Sequence, residues 1–196
     1  MTRVSGEVRD SYISLSAEFA FEARQLMIQY RITPLTHEKI AVFDGLMRFA
    51  EDGNLKWDPF MAYVSFEPED TVAIKRIIPP LPELKDVEFR HVPLAHVVQA
   101  QVHQGEIHLS VPIEEYNPYY PPYTESIYSE AIARHVALIL GYKVVNEKVR
   151  LIKAHGLPDL YQVWGVEPLY QIRLEVAAPE PGIPVRYRID EPYERV

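Results

Sequence analysis

Cysteine is absent from all 196 positions of the chain. That excludes disulfides, thiol nucleophiles, thiolate zinc sites and iron–sulfur ligation together. Glycine is scarce, at eight residues against seventeen prolines, and the glycines stand singly. A phosphate-cradling loop or a dinucleotide fingerprint needs glycines clustered at fixed spacing, so neither is present. Gly-x-Ser-x-Gly and His-Glu-x-x-His are missing as well. No apolar run approaches the ~20 residues of a membrane span, the first residues do not form a signal peptide, and no Asn-x-Ser/Thr sequon occurs. The expected location is the cytoplasm, or a particle assembled there.

Positive charge is also in deficit. Twenty basic residues face 28 acidic ones, a formal charge of -8, which opposes general affinity for nucleic acid or anionic membrane. Apolar residues make up 47% and charged residues 24%, the balance of a globular chain. One domain over 1–196 is expected, with a sub-boundary placed near 114–123. Many prolines, few glycines and no cysteine resemble the composition of heat-adapted proteins.

What the chain does have concentrates between Ala95 and Tyr123. If Gln104-Gly105 is a two-residue turn, alternation sorts the flanking residues onto two faces. His96, Val98, Ala100, Val102, Ile107, Leu109, Val111 and Ile113 share one. Val97, Gln99, Gln101, His103, Glu106, His108 and Ser110 share the other. A half-solvated hairpin is expected. In the segment that follows, Pro118, Pro121 and Pro122 fix φ at about -65° and disfavour helix and central strand. It carries Tyr116, Tyr119, Tyr120 and Tyr123, large amphipathic side chains suited to a binding surface. Gln99, Gln101, His103 and His108 extend that candidate surface. The competing reading folds the rings onto the domain's own core.

Elsewhere the pattern predicts three helices. Ala17–Gln29 holds good helix formers, although Ile13, Leu15, Ala17, Phe19, Phe21 and Ala23 also alternate like a strand. Thr36 caps a second, with Ile40, Phe43, Leu46, Met47 and Ala50 as its apolar stripe and Gly53-Asn54 as its end. Thr124 caps a third that runs to Gly141, apolar over most of its circumference. Strands are expected at Pro59–Phe66, Thr71–Ile78 and Val87–Val92. A second half-solvated hairpin is expected over 170–189. The fold class these elements give is α+β, a mainly antiparallel sheet packed against about three helices.

The chemistry-bearing residues admit one metal candidate, His103 with Glu106 and His108, whose simpler reading is two solvated histidines beside a turn. His96 falls on the apolar face and reads as a core histidine, while His135 and His155 fit packing and turn roles. Neighbouring carboxylates at Glu114-Glu115 and Glu67-Glu69-Asp70 read as solvated loop edges. Trp164 suits a subunit contact. No cofactor is expected and no catalytic residue is assigned. The leading expectation is a non-catalytic structural or protein–protein interaction subunit of a homo-oligomer or larger assembly. The alternative is a small metal- or His-dependent hydrolase or ligand-binding enzyme, and nucleic-acid binding through Arg173, Arg186 and Arg188 ranks last.

Overall fold

Strands account for every regular element of the structure, a computed structural model describing residues 1–49, 55–82, 87, 90–119, 127–157, 159–166 and 168–189. In chain order they are β1 (Thr2–Arg9), β2 (Ile13–Phe21), β3 (Gln25–Pro34), β4 (Lys39–Gly45), β5 (Met47–Phe49), β6 (Leu55–Trp57), β7 (Tyr63–Glu67) and β8 (Thr71–Arg76). There follow β9 (Leu94–Val98), β10 (His103–Ser110), β11 (Ile113–Glu114), β12 (Tyr128–Ala133), β13 (His135–Val145), β14 (Arg150–Lys153), β15 (Leu160–Trp164), β16 (Tyr170–Ala177) and β17 (Ile183–Arg188). No helix among the described residues is long and apolar enough to cross a membrane.

A four-stranded sheet runs in the order β1-β2-β3-β10, and a larger one in the order β14-β15-β9-β4-β13-β8-β7, with β16 also paired to β13. The two pack face to face over one apolar core. Leu15, Phe19, Ile28, Ile32 and Ile107 of the first sheet meet Ile40, Val42, Ile74, Leu138 and Leu174 of the second. A small third sheet, β11-β17-β12, adds Ile113, Ala133 and Val185 to the same core.

The α+β expectation is therefore corrected to all-β, and each helix has a specific reason to fail. In the first, the alternation of Ile13, Leu15, Ala17 and Phe19 was the true signal: these four are buried along β2. The Thr36 stripe mixed two strand faces, since Ile40 joins the main core and Phe43 a separate cluster with Ala41 and Ala95. The third was misread because β13 is covered on both sides. Val136, Leu138 and Leu140 face the main core, while Ala137 and Ile139 pack with Ala73 and Ile77. A centrally buried strand has no polar phase, and periodicity then cannot separate it from a buried helix. Truncating Leu138 to alanine in that setting costs about 2–5 kcal/mol.

The two hairpins are corrected too. β9 pairs with β4 and β15, whereas β10 pairs with β3, so Gln104-Gly105 lies inside a strand and not at a turn. Likewise β16 pairs with β13 and β17 with β11 and β12. Within β16 the predicted alternation persists, with Ile172, Leu174 and Val176 buried. In β17 Val185 is buried as predicted, but Arg188 is buried and Ile189 exposed, against the predicted phase. In β10 the phase is reversed at His103, which shares a face with Ile107.

Candidate functional site

Four strands carry an apolar inner row that turns polar near one end of the sandwich, and in a fifth a phenol interrupts the row. Along β4 the row reads Ile40, Val42, Asp44; along β8 it reads Val72, Ile74, Arg76. On β9, His96 precedes Val98, and on β10, His103 and Gly105 precede Ile107. On β3, Tyr30 stands between Ile28 and Ile32. Strand alternation delivers all five polar side chains to the space between the sheets.

Two local irregularities set the geometry. Val42 pairs with His96 but Gly45 pairs with Leu94, so β4 carries one extra residue across Phe43-Asp44. Such a bulge twists the strand and re-aims the side chain at that point, here the Asp44 carboxylate. On the facing sheet Gly105 lies directly opposite Tyr30. A Cβ at Gly105 would overlap the Tyr30 ring, so the glycine is what lets the phenol lie across β10.

Asp44 is almost fully buried and three side chains converge on it. His96 Nδ1 lies 2.6 Å from Oδ1, and His103 Nε2 lies 2.6 Å from Oδ2. The Tyr30 hydroxyl donates to Oδ2 at 2.9 Å while accepting from the Arg76 guanidinium at 2.7 Å. The imidazole rings of His96 and His103 sit 4.7 Å apart, centroid to centroid. Arg76, itself buried, spends its remaining donors on backbone carbonyls. It reaches Met61 at 2.9 Å, Pro59 at 2.5 Å and Glu106 at 2.7 Å, which pins the 59–61 loop against both sheets.

The electrostatics follow from burial and these contacts. Burial alone works to raise the Asp44 carboxyl. Hydrogen bonds from His103 and His96, with their charges, outweigh it and hold Asp44 well below the usual carboxylate range. For His96, burial works downward, but the Asp44 hydrogen bond and charge carry the ring above its ordinary value against opposition from Arg76. Burial, then the Asp44 charge, push the Tyr30 phenol far up, so it stays a neutral hydrogen-bond relay.

The group forms part of the wall of a cavity of about 850 Å³. Trp57, Phe60 and Pro59 supply an apolar side with two aromatic rings, and the outward residues Arg3, Glu18, Gln29, Arg31, Gln104 and Glu106 a polar one. The imidazoles reach solvent where the carboxylate does not: side-chain exposure is 22% for His96 and 16% for His103, against 2% for Asp44. His96 Nε2 and His103 Nδ1 are the ring nitrogens not spent on Asp44. Charges in the wall are partly self-compensated. Arg3 pairs with Glu18 at 2.8 Å and Glu106 with His108 at 2.7 Å, while Arg31 is an exposed cation on the cavity rim.

The sequence candidates scatter around this centre. Of His103, Glu106 and His108, only His103 belongs to it. With no turn at Gln104-Gly105, His103 shares the inner face with Ile107, and Glu106 and His108 share the other. Among the described residues the one group of ligating side chains with converging donor atoms is Asp44, His96 and His103. His108 is half-buried, stacked on Phe60 at 4.4 Å. Gln99 is exposed and bonds the His37 carbonyl, and Gln101 is exposed. Tyr119 is buried against its own chain, where its hydroxyl accepts from the His91 amide at 3.1 Å. Tyr116 is half-buried and stacks on Tyr63. Tyr120 and Tyr123 lie outside the described residues, as does the Thr124 cap.

The other candidates have structural roles. Glu115 is buried and accepts from the Phe66 and Arg188 amides, joining β7 to the third sheet. Arg173 is held by Glu67 and Glu175, Arg186 by Glu114, and Arg188 is buried, so these arginines do not form a free basic face. His135 lies 3.7 Å from Glu175 at the start of β13, and His155 lines a shallow depression in the 153–157 turn. Trp164 is exposed at the sheet edge. Asp44, Tyr30 and Arg76 are the members the sequence reading missed, and His96 it set aside as core. Their signal was a polar residue in the apolar phase of a strand row. No family model, curated protein or solved structure matches the chain.

Proposed function

We propose that this protein binds a small organic anion in the cavity between its two sheets, with His96 and His103 as the chemically active groups. The observation that carries the reading is the convergence of two imidazoles and one phenol on a single buried carboxylate at a cavity wall. Packed apolar side chains in place of such a buried network are often as stabilising, so folding alone does not account for gathering these groups at one point. Concave sites with a few convergent polar side chains and perturbed titrating groups are where ligands bind. The charge favours an anion: Asp44 is shared by two imidazoles and, through Tyr30, by the Arg76 cation, and Arg31 stands on the rim. Each imidazole keeps one nitrogen to exchange a proton with the ligand, which supports the ligand-binding or hydrolytic class.

The chain has two tryptophans, so Trp164→Phe leaves Trp57, in the cavity wall, as the sole indole. Titrating that variant with a panel of mono- and dicarboxylates and phosphate monoesters should give a saturable change in Trp57 fluorescence for at least one member. The change should disappear in Arg31→Gln and His103→Gln. A flat response across the panel at millimolar concentration would sink the reading.

A second reading, an interaction subunit, is favoured by the edge of the larger sheet. β14 is its terminal strand, and Ile152, Trp164 and Val166 are exposed there, Trp164 at 61% and Val166 at 95%. An edge unpaired among the described residues and flanked by exposed apolar side chains is a ready template for a second chain. Static light scattering over a concentration series tests it, and a monomer at every concentration removes self-association.

A further inference from the structure

We propose that Asp44, His96 and His103 hold a divalent transition-metal ion. Each offers one donor atom, and all three donors lie within 4.8 Å of one another. Two imidazole nitrogens with one carboxylate oxygen is the donor set of zinc, iron(II), cobalt and nickel centres. Calcium and magnesium prefer oxygen alone, and the chain has no thiolate to favour copper(I).

The contacts resemble such a centre closed on itself. Both imidazoles press a nitrogen to within 2.6 Å of the same carboxylate. One cation can replace the two protons that now fill those gaps. Ligands at about 2.0–2.2 Å in a tetrahedron stand about 3.3 Å apart, so loading moves each nitrogen out from its carboxylate oxygen and draws any donor pair now farther apart, up to 4.8 Å, in to the same spacing. The donors come from β4, β9 and β10, in both sheets, so the frame that holds them is rigid. Behind them the Tyr30 hydroxyl orients the carboxylate and Arg76 fixes the hydroxyl, the outer-shell arrangement that metal-bound carboxylates use.

Three protein ligands leave the remaining positions to water or to the ligand. A divalent ion with Asp44 and the buried Arg76 leaves net positive charge at the cavity wall, which an organic anion would meet. In that last respect the inference rests on the anion-binding reading; the metal site itself does not.

The test uses the full chain stripped with EDTA. Cobalt(II) titration should give visible ligand-field bands that saturate at about one equivalent, and zinc should displace them. His96→Gln, His103→Gln and the near-isosteric Asp44→Asn should each lower zinc affinity by more than tenfold, and Tyr30→Phe by about tenfold. His108→Gln, outside the donor set, should bind as the parent chain does. The three glutamine variants report independently if Asp44→Asn fails to fold. Absence of cobalt uptake by the parent chain, or uptake that survives both His96→Gln and His103→Gln, overturns the metal site. Uptake of metal without any response to the anion panel upholds it and removes only the anion reading. A response to the panel in metal-free protein without uptake does the reverse.

Discussion

His103 and Asp44 are 59 residues apart in the chain, yet the imidazole Nε2 lies 2.6 Å from the carboxylate. They belong to different sheets, so this contact joins the two layers at their polar end. Asp44 is also linked to Arg76 through the Tyr30 hydroxyl. Its removal should therefore act on stability as well as on chemistry. Asp44→Ala strips a buried network of its one carboxylate and should cost about 3–5 kcal/mol, read from the urea midpoint. A loss below about 1 kcal/mol would mean that the network contributes little to holding the sheets together.

The second prediction concerns Gly105. It faces Tyr30 across the β3–β10 ladder, and a Cβ there has no room beside a phenol tethered on both sides. Gly105→Ala should destabilise the chain by about 1–3 kcal/mol, the usual cost of overpacking. It should also lower cavity-ligand binding by displacing Tyr30 from Asp44. A variant as stable as the parent would show that the ring can step aside.

Glu67 gives the pH prediction. Burial works to raise its carboxyl, but hydrogen bonds and charge from Lys75 at 2.9 Å and Arg173 at 2.8 Å outweigh that and hold it below the ordinary 4.5. A carboxyl lowered by folding adds stability that is complete above its unfolded pKa and fades as pH falls through the folded one. Glu67→Gln should therefore be less stable than the parent at pH 7, and the gap should narrow below about pH 4. Equal gaps at the two pH values would contradict the assignment.

For the sheet edge, Trp164→Ser together with Ile152→Ser should leave the melting temperature nearly unchanged, since both side chains are exposed. If the parent chain self-associates through this face, the double variant should be monomeric at the concentration where the parent is not. An oligomer of unchanged mass would exclude the β14–β15 edge as the contact.

How much of this was legible in the sequence depends on which interaction decides each feature. Alternation within a strand is local: β16 could be read from it, as could the Ile13–Phe19 row of β2, whereas in β17 the phase fails at Arg188, which is buried, and Ile189, which is exposed. Pairing is not local. Assigning Gln104-Gly105 to a turn reversed the phase between Val102 and Glu106 and put His103 on the wrong face. A continuous β10 places it inward with Ile107. Asp44 was hidden differently. In a helix its position is unremarkable, but in a strand it stands in the apolar phase after Ile40 and Val42, where a carboxylate requires partners. Those partners come from β9, β3 and β10, through long-range pairings that no local pattern encodes.

The central claim is that two imidazoles meet one carboxylate through opposite ring nitrogens. Histidine-selective long-range ¹H–¹⁵N correlation spectra of the metal-free chain read this directly, at a pH where both rings are neutral. The account predicts two fixed and opposite tautomers, His96 protonated at Nδ1 and His103 at Nε2. Both should revert toward the mixture of free imidazole in Asp44→Ala. Averaged tautomers for the two rings in the parent chain would contradict it.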